Sequence, residues 1–170
     1  TVQMMRDRLR ANPVAVQLPL GVEDAHVGVI DLVTMKAIVW DDESLGANYR
    51  EAEIPDAERA LAEEYREKLI EAVAESDEKL MEKFFDSGTL TDEDLVAGLR
   101  KQVGEGKLCP VLFTAATANI GISQLLNAMV SYLPDAVSRS PVAGKDGHGK
   151  DTERKIADNE PFSAFVFKTF

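Results

Sequence analysis

The chain has 170 residues, 45% of them hydrophobic, and a formal net charge of -11 at pH 7. Such a chain can bury one core, or one domain and part of a second. Its negative charge argues against a broad nucleic-acid-binding face, since binding to phosphates needs clustered Lys and Arg.

Export, membrane insertion and metal chemistry find no support in the sequence. No apolar run approaches the length of a membrane span and the first residues do not resemble a signal peptide, so we predict a cytoplasmic chain without a membrane partner. The single cysteine, Cys109, excludes an internal disulfide and is predicted to be a small, buried apolar residue at the edge of a strand. His26 is predicted to lie at the surface or in a turn, because no nucleophile motif accompanies it. We therefore predict neither a metal site nor a catalytic residue on this chain.

The first third of the chain is predicted to contain a helix and several strands. Apolar spacing and turn signals predict a helix over residues 1–11, a strand over 14–18 that ends at Pro19, a hairpin of strands 27–33 and 36–40, and an edge strand near 51–55. Asp31 lies inside an apolar strand. It is predicted to have a structural partner rather than a catalytic role.

A helical region follows from Asp56 to Gly104. The residues predicted to form its buried face recur at steps of three, four or seven: Leu61, Tyr65, Leu69, Val73 and Leu80, with Ile70 and Met81 beside them. Ser76 and Asp77 are predicted to break this region into two helices. Thr91 followed by Asp94 is typical of a helix cap and predicts a further helix that closes near Gly104.

The chain then enters a strand, a polar loop and an amphipathic helix without interruption. Residues 110–113 form the strand, and one stripe of the helix is predicted to carry Ile122, Leu125, Leu126, Met129, Val130 and Leu133. In open α/β sheets, ligands bind beyond the carboxyl ends of the strands. The loop 114–119 is therefore predicted to lie where a small molecule would bind.

After Pro134 the composition becomes rich in glycine, serine and charge, which predicts a linker over 135–159. Within it, residues 144–151 match the first seven positions of the phosphate-binding motif G-x-x-x-x-G-K-[ST]. That chemistry needs a strand before the loop and a helix after it, and neither is predicted here. Asp151 would also set a negative charge beside the phosphate. We interpret these residues as linker, after which 161–168 resemble a strand.

The acidity of the chain is concentrated between Glu51 and Asp94, where 16 Asp and Glu face 5 Lys and Arg. The glutamates Glu63, Glu67, Glu71 and Glu75 follow one another at four-residue steps on a helix, where like charges repel. Two interpretations remain open. The face is either simply solvated, or it is a docking surface on which negative charge accelerates the encounter with a basic partner.

Taken together, these segments resemble bacterial elongation factor G, in that family's order and over nearly the whole chain. The segments that carry the resemblance are VAVQLPLG, VGVIDLVTMKAIVWDDESLGANYREAEIP, AEEYREKLIEAVAESDEKLMEKFF, TLTDEDLVAGLRK, PVLFTAATANIGISQLLNAMVSYLP and EPFSAFVFK. The implied fold is α/β, an incomplete P-loop GTPase domain with an inserted α+β subdomain. The resemblance assigns 1–20 and 109–135 to the GTPase domain, 21–108 to the inserted G′ subdomain, 136–160 to a linker and 161–170 to the start of a β-barrel domain.

The resemblance also implies where a guanine nucleotide would bind. The family's Gly-Ser-Ala loop is matched by Thr114, Ala115 and Ala116, and the N–H of Ala116 would donate to the guanine O6. Ala115 replaces the family's serine, and Ala118 replaces the lysine that usually follows. The phosphate loop, the Mg²⁺-binding switches, the catalytic histidine and the Asn-Lys-x-Asp motif are expected before Thr1. GTP or GDP with Mg²⁺ is thus expected in the parent protein, and no cofactor or catalytic activity for this chain alone.

As partners, the resemblance implies the ribosome and its stalk protein, the latter through Glu67, Glu71 and Glu75 on the G′ subdomain. The parent would couple GTP hydrolysis to ribosomal translocation or ribosome recycling. The altered guanine loop leaves an alternative open, in which the parent is a paralogue that binds the ribosome or another partner without driving translocation. An intact phosphate loop and catalytic histidine upstream would favour the first.

Overall fold

The computed structural model describes residues 2–40, 46, 48–75, 77–164 and 168. The chain forms two compact units, Thr1–Leu133 and Pro134–Phe170, and it is a mixed α/β protein, as predicted. The elements of the first unit are α1 (Val2–Leu9), β1 (Pro13–Ala15), β2 (Gln17–Leu20), β3 (Gly28–Asp31), β4 (Lys36–Trp40), β5 (Tyr49–Ala52), α2 (Asp56–Ala74), α3 (Glu78–Ser87), α4 (Asp92–Gly104), β6 (Cys109–Val111) and α5 (Ile122–Tyr132). Those of the second unit are β7 (Val142–Lys145) and β8 (Asp151–Arg154).

Two sheets of the first unit meet at Val16. Strand β1 pairs with β6 in parallel, whereas β2 pairs with β3 in an antiparallel sheet of order β2-β3-β4-β5. The N–H of Val16 donates to the carbonyl of Val111 (3.1 Å), and its carbonyl accepts from the N–H of Leu32 (3.0 Å). The prediction of a single strand over 14–18 is therefore wrong, because this segment is divided between two sheets.

Pro19 does not end the strand as predicted. It lies within β2, opposite Val29. Strand β2 is at the edge of its sheet, where proline is tolerated because no second neighbour requires its missing N–H.

The predicted hairpin is present as β3 and β4. The Oδ1 of Asp31 accepts hydrogen bonds from the N–H groups of Val33 and Thr34, each at 2.9 Å, and so stabilises the turn between the two strands. Asp31 thus has the structural partner that was expected. Strand β5 forms the other edge of the sheet and begins at Tyr49, two residues before the predicted strand.

Two helices begin at side-chain caps, of which only the cap at Thr91 was predicted. The side chain of Asp77 accepts from the N–H of Lys79 (2.9 Å) at the start of α3, and that of Thr91 accepts from the N–H of Asp94 (3.2 Å) at the start of α4. Helix α2 ends at Ala74, so the predicted break is confirmed, although Ser76 itself lies outside the described residues.

The core of the first unit lies between α2, α4 and the strands. Its fully buried side chains include Ile30, Leu32, Leu69, Val73, Leu95 and Leu99. Leu61 was predicted to belong to this face, but 43% of it is exposed, and Ala62 is buried instead. Ala62 lies about 20° around the helix from Leu69 and so shares its buried face, whereas Leu61 lies about 80° away.

Helix α5 presents a different face to the protein than predicted. Its buried residues are Gln124 and Tyr132, whereas Leu126, Met129, Val130 and Leu133 of the predicted buried stripe are exposed. Val130, at 80% exposure, is the extreme case. Periodicity identified the apolar face of this helix correctly, but it carries no information on which face the neighbouring elements cover.

The predicted linker contains the hairpin formed by β7 and β8. In the turn between them, the Oδ1 of Asp146 accepts from the N–H groups of His148 (2.8 Å) and Lys150 (3.0 Å). A strand rather than a helix therefore follows the G-x-x-x-x-G-K residues, which is not the arrangement that binds phosphate. Of the strand predicted over 161–168, residues 161–164 have no strand pairing and 165–167 lie outside the described residues.

Acid is expected to weaken the junction of α3 and α4. The Nζ of Lys101 donates to Asp77 (2.5 Å), and this hydrogen bond, with that from the Lys79 N–H, holds the pKa of Asp77 below its usual range. A carboxyl group whose pKa is depressed in the folded state stabilises the fold above its unfolded pKa, and this contribution is lost as pH falls through the folded pKa. The midpoint of urea unfolding should therefore drop as the pH is lowered from about 5 to about 2.5.

The variant Asp77→Asn keeps a good capping residue but removes the charge. Its midpoint at about pH 5 should be lower than that of the wild type, and its drop on acidification should be smaller. Lys101→Gln should behave in the same way, and the double variant should add nothing. A wild-type pH dependence in both variants would contradict the assignment.

Candidate functional site

The loop between β6 and α5 is closed by a short antiparallel bridge. The N–H of Ala115 donates to the carbonyl of Ile120 (3.0 Å), and the N–H of Ile120 donates back to the carbonyl of Ala115 (3.1 Å). Between them, Ala116–Ala118 forms one 3₁₀ turn that ends at Asn119, a residue in the left-handed region (φ 57°). The bridge and the turn give this loop a defined backbone conformation.

Two glycines allow backbones to approach this loop closely. Gly121, at φ 76°, precedes α5, and a Cβ there would lie 2.6 Å from the carbonyl oxygen of Phe113. Gly46, at φ 79°, is buried, and its Cβ would lie 2.5 Å from the carbonyl oxygen of Asn119. Any other residue at these positions would displace the loop.

The three predicted guanine-contacting residues occupy this loop. Thr114 and Ala116 are exposed, and the N–H of Ala116 donates no hydrogen bond to any of the residues that the structure describes. The methyl group of Ala115 faces the other way and packs against the cluster of Val29, Trp40 and Ile120. The loop can thus present a free backbone donor at the end of β6, while Ala115 anchors it to the antiparallel sheet.

The acidic face of α2 is fully presented to solvent. Glu67, Glu71 and Glu75 are all exposed, and none of them forms an ion pair within the described part of the chain. By contrast, the neighbouring Glu64 is paired with Lys68 at 2.5 Å. The last turn of α2 carries no basic residue, so Glu71 and Glu75 add negative charge to the negative end of the helix dipole. This face therefore concentrates negative charge that no cation of the described residues compensates.

The predicted site residues therefore form two separate groups, one in the loop after β6 and the other on α2. Among the residues covered by the structure, no three His, Cys, Asp or Glu side chains come together as metal ligands. No helix in the same residues is long and apolar enough to cross a membrane.

Sequence reasoning missed a polar cavity between the antiparallel sheet and α5. It has a volume of about 260 Å³, and its lining includes Gln17, Asp31, Gln124 and Tyr132. Burial and the negative charge of Asp31 raise the pKa of Tyr132 to about 12. The available signal was the presence of two glutamines inside otherwise apolar segments, Gln17 in a strand and Gln124 in a helix.

Comparison with known proteins finds a solved structure with a similar fold, but it does not show a family. No protein-family model matches the chain. A crystal structure of a protein from Thermus thermophilus is similar over 82% of this chain, with a TM-score of 0.69 and 29% sequence identity. The match covers 21% of that protein, so the chain spans about a fifth of the length of the solved protein that it resembles.

Proposed function

We propose that this chain is part of a ribosome-associated translational GTPase resembling bacterial elongation factor G. The observation that carries the proposal is the order of the quoted sequence segments, which follow that family over nearly the whole chain. The parent protein would use GTP with Mg²⁺ and couple its hydrolysis to ribosomal translocation or ribosome recycling. The likeness to a much longer solved protein is compatible with this proposal, because 82% of the present chain matches only 21% of the other.

Two structural features support the assignment of β1, β6 and α5 to a larger domain. Parallel sheets are normally covered on both faces and extend beyond two strands, yet β1 and β6 form a parallel pair. Helix α5 also exposes Leu126, Met129 and Val130, and Leu133, which directly follows the helix, is exposed as well. A GTPase domain with further strands would bury this apolar surface. Because the resemblance places the phosphate loop, the switches and the catalytic histidine outside this segment, we expect the chain alone to be catalytically inactive.

In the parent, the loop after β6 would form one wall of the guanine pocket. The exposed N–H of Ala116 would donate to the guanine O6, a contact that any residue type can make. Thr114 and Ala115 complete this wall. Since Ala115 packs against the cluster of Val29, Trp40 and Ile120, the loop would be braced by apolar contact where the family uses a serine hydroxyl.

The acidic face of α2 would dock the ribosomal stalk protein. Its glutamates Glu67, Glu71 and Glu75 are exposed and unpaired within the described residues, and unpaired surface charge steers the encounter with an oppositely charged partner. This role belongs to the inserted subdomain and does not require the guanine loop.

Reversing the charge of this face tests the proposal. In the full-length parent, the double variant Glu71→Lys/Glu75→Lys should slow ribosome-stimulated GTP turnover by roughly tenfold at low salt, and by less at high salt, because steering is screened by ions. Turnover without ribosomes should not change. The matched control is Glu82→Lys/Asp86→Lys, which makes the same charge change on exposed residues of α3. If ribosomes stimulate GTP turnover equally in both double variants, docking through α2 is ruled out.

A second candidate is a paralogue that binds the ribosome or another partner without translocase activity. The observation that favours it is the pair of departures in the guanine loop, where Ala115 and Ala118 replace the family's serine and lysine. The two candidates differ in the residues that precede this segment in the parent. An intact phosphate loop and catalytic histidine would favour the motor, and their loss would favour the binding protein.

A further inference from the structure

The cavity between the antiparallel sheet and α5 has a buried floor and an exposed rim. Val16, Gln17, Gln124 and Tyr132 form the floor, whereas Tyr49, Glu51 and Asn127 stand at the exposed rim. Its volume of about 260 Å³ lies just below that of drug-sized pockets, which are roughly 300–1,000 Å³. A small molecule can therefore enter from solvent and reach buried polar groups.

One buried polar atom on this floor lacks a partner. Gln124 is only 8% exposed, and its Oε1 accepts no hydrogen bond from any residue within the described ranges. A buried acceptor without a donor is unfavourable and rare in folded proteins. A ligand that brings an N–H donor to the cavity floor would satisfy it.

The charge of the residues that line the cavity indicates the sign of the charge that a ligand would carry. Its two ionisable carboxylates are Asp31 and Glu51, and no Lys, Arg or His side chain is among the described residues that line it. Lys36 pairs with Glu51 at 3.2 Å from outside the lining, with both side chains largely exposed. Asp31 forms no ion pair among the described residues, although Lys36 lies opposite it on β4, and its negative charge helps to raise the pKa of Tyr132. The cavity thus offers negative charge without an internal cation from the described part of the chain.

Aromatic rings complete the lining. Tyr49 at the rim and Tyr132 on the floor both contribute to the cavity, and the face of an aromatic ring attracts cations. Ring faces, carboxylates and an unpartnered amide oxygen are together the groups that bind a guanidinium or ammonium head.

We propose that this cavity is a binding site for a small organic cation with a guanidinium or ammonium head. The head donates to Gln124 Oε1 and is paired with Asp31, while Glu51 and Tyr49 hold the remainder at the rim. The site is independent of the proposed GTPase role. The same head can belong to a free molecule or to a basic side chain of a bound peptide.

Calorimetric and NMR titrations of the 170-residue chain test the proposal at low ionic strength. The probes are agmatine as the free cation, the tripeptide Gly-Arg-Gly as the peptide source, and butylurea as a neutral analogue of similar shape. Saturable binding of agmatine or of the tripeptide, at least tenfold tighter than that of butylurea, is the expected result. The tighter of the two cations identifies the source. Absence of saturable binding by both, or equal binding of butylurea, would overturn the proposal.

Variants assign the binding to this cavity. Asp31→Asn keeps an oxygen for the turn N–H groups but removes the charge, and it should weaken binding at least tenfold. Gln124→Leu should weaken it to a similar degree, and Glu51→Gln, at the exposed rim, about threefold. The control Glu53→Gln makes the same charge change at an exposed residue outside the lining and should stay within twofold of the wild type.

Urea unfolding of each variant verifies that it is folded. If Asp31→Asn does not fold, the affinity of the rim variant Glu51→Gln tests the site instead, since Glu51 lies on an exposed edge strand and its replacement should not disturb the fold. Wild-type affinity in Glu51→Gln and Gln124→Leu would show that the cation binds elsewhere and would refute the site.

Discussion

Replacing Arg66 by alanine is expected to lower the free energy of unfolding by about 2–4 kcal/mol, because a charged group that satisfies buried carbonyls would be lost. The guanidinium of Arg66 donates from Nη1 to the carbonyls of Leu32 (2.7 Å) and Val33, and from Nη2 to Asp92 (3.0 Å). Its side chain is only 19% exposed. One residue of α2 thus holds the β3–β4 turn and the first turn of α4 together.

Two variants separate the contributions to this cost. Asp92→Asn removes only the partly exposed ion pair and should cost well under about 1 kcal/mol, as surface pairs do. Lys68→Ala, half a turn away on α2, removes an exposed pair with Glu64 and a cation–π contact with the ring of Tyr65 (4.6 Å), and it should cost no more than about 1 kcal/mol. Urea unfolding followed by circular dichroism measures all three. A loss below about 1 kcal/mol for Arg66→Ala would mean that water replaces the guanidinium at both carbonyls.

Gly98→Val is expected to destabilise the fold by about 2–3 kcal/mol, because the helices α2 and α4 pack too closely for a side chain at this position. A Cβ on Gly98 would lie 2.3 Å from Cγ1 of Val73 and 3.0 Å from Cδ1 of Leu80. Val73 is fully buried and β-branched, so its side chain has little freedom to move away. The strain therefore exceeds the gain in helix propensity on replacing glycine.

The matched control for this change lies in the same helix. A Cβ on Gly104 would meet nothing within 4 Å, so Gly104→Ala should be neutral or stabilising by up to about 1 kcal/mol. In a Val73→Ala background, which removes the clashing methyl group, Gly98→Val should cost less than half as much. The same penalty in both backgrounds would show that the close contact with Val73 is not its cause.

The helix break at Asp77, the cap at Thr91 and the hairpin beside Asp31 could be predicted because they depend on neighbours along the chain. Asp77 and Thr91 cap α3 and α4 through hydrogen bonds that span two or three residues. The β3–β4 turn depends on Asp31, which accepts from the backbone two and three positions further along the chain. Such contacts are encoded locally, and residue type alone reveals them.

The candidate sites also combine features that are encoded locally with features that depend on distant parts of the chain. The loop with Thr114, Ala115 and Ala116 was placed at the end of a strand from the succession of a strand and a helix, and the exposure of Glu71 and Glu75 followed from helical spacing. Two features were not visible in the sequence: the N–H of Ala116 has no acceptor among the described residues, and Ala115 packs against the cluster of Val29, Trp40 and Ile120. They depend on a bridge to Ile120 and on a sheet far away along the chain.

From the sequence alone we could predict the mixed α/β class, the helices α2 to α5 and the β3–β4 hairpin, but not the β7–β8 hairpin. The tertiary structure decided that residues 14–18 divide between two sheets at Val16, that α5 buries Gln124 and Tyr132 instead of its apolar stripe, and that these residues enclose a polar cavity with Asp31. The physical reason is the distance along the chain over which each effect acts. Propensity and periodicity act over a few residues, whereas burial depends on which distant surfaces meet.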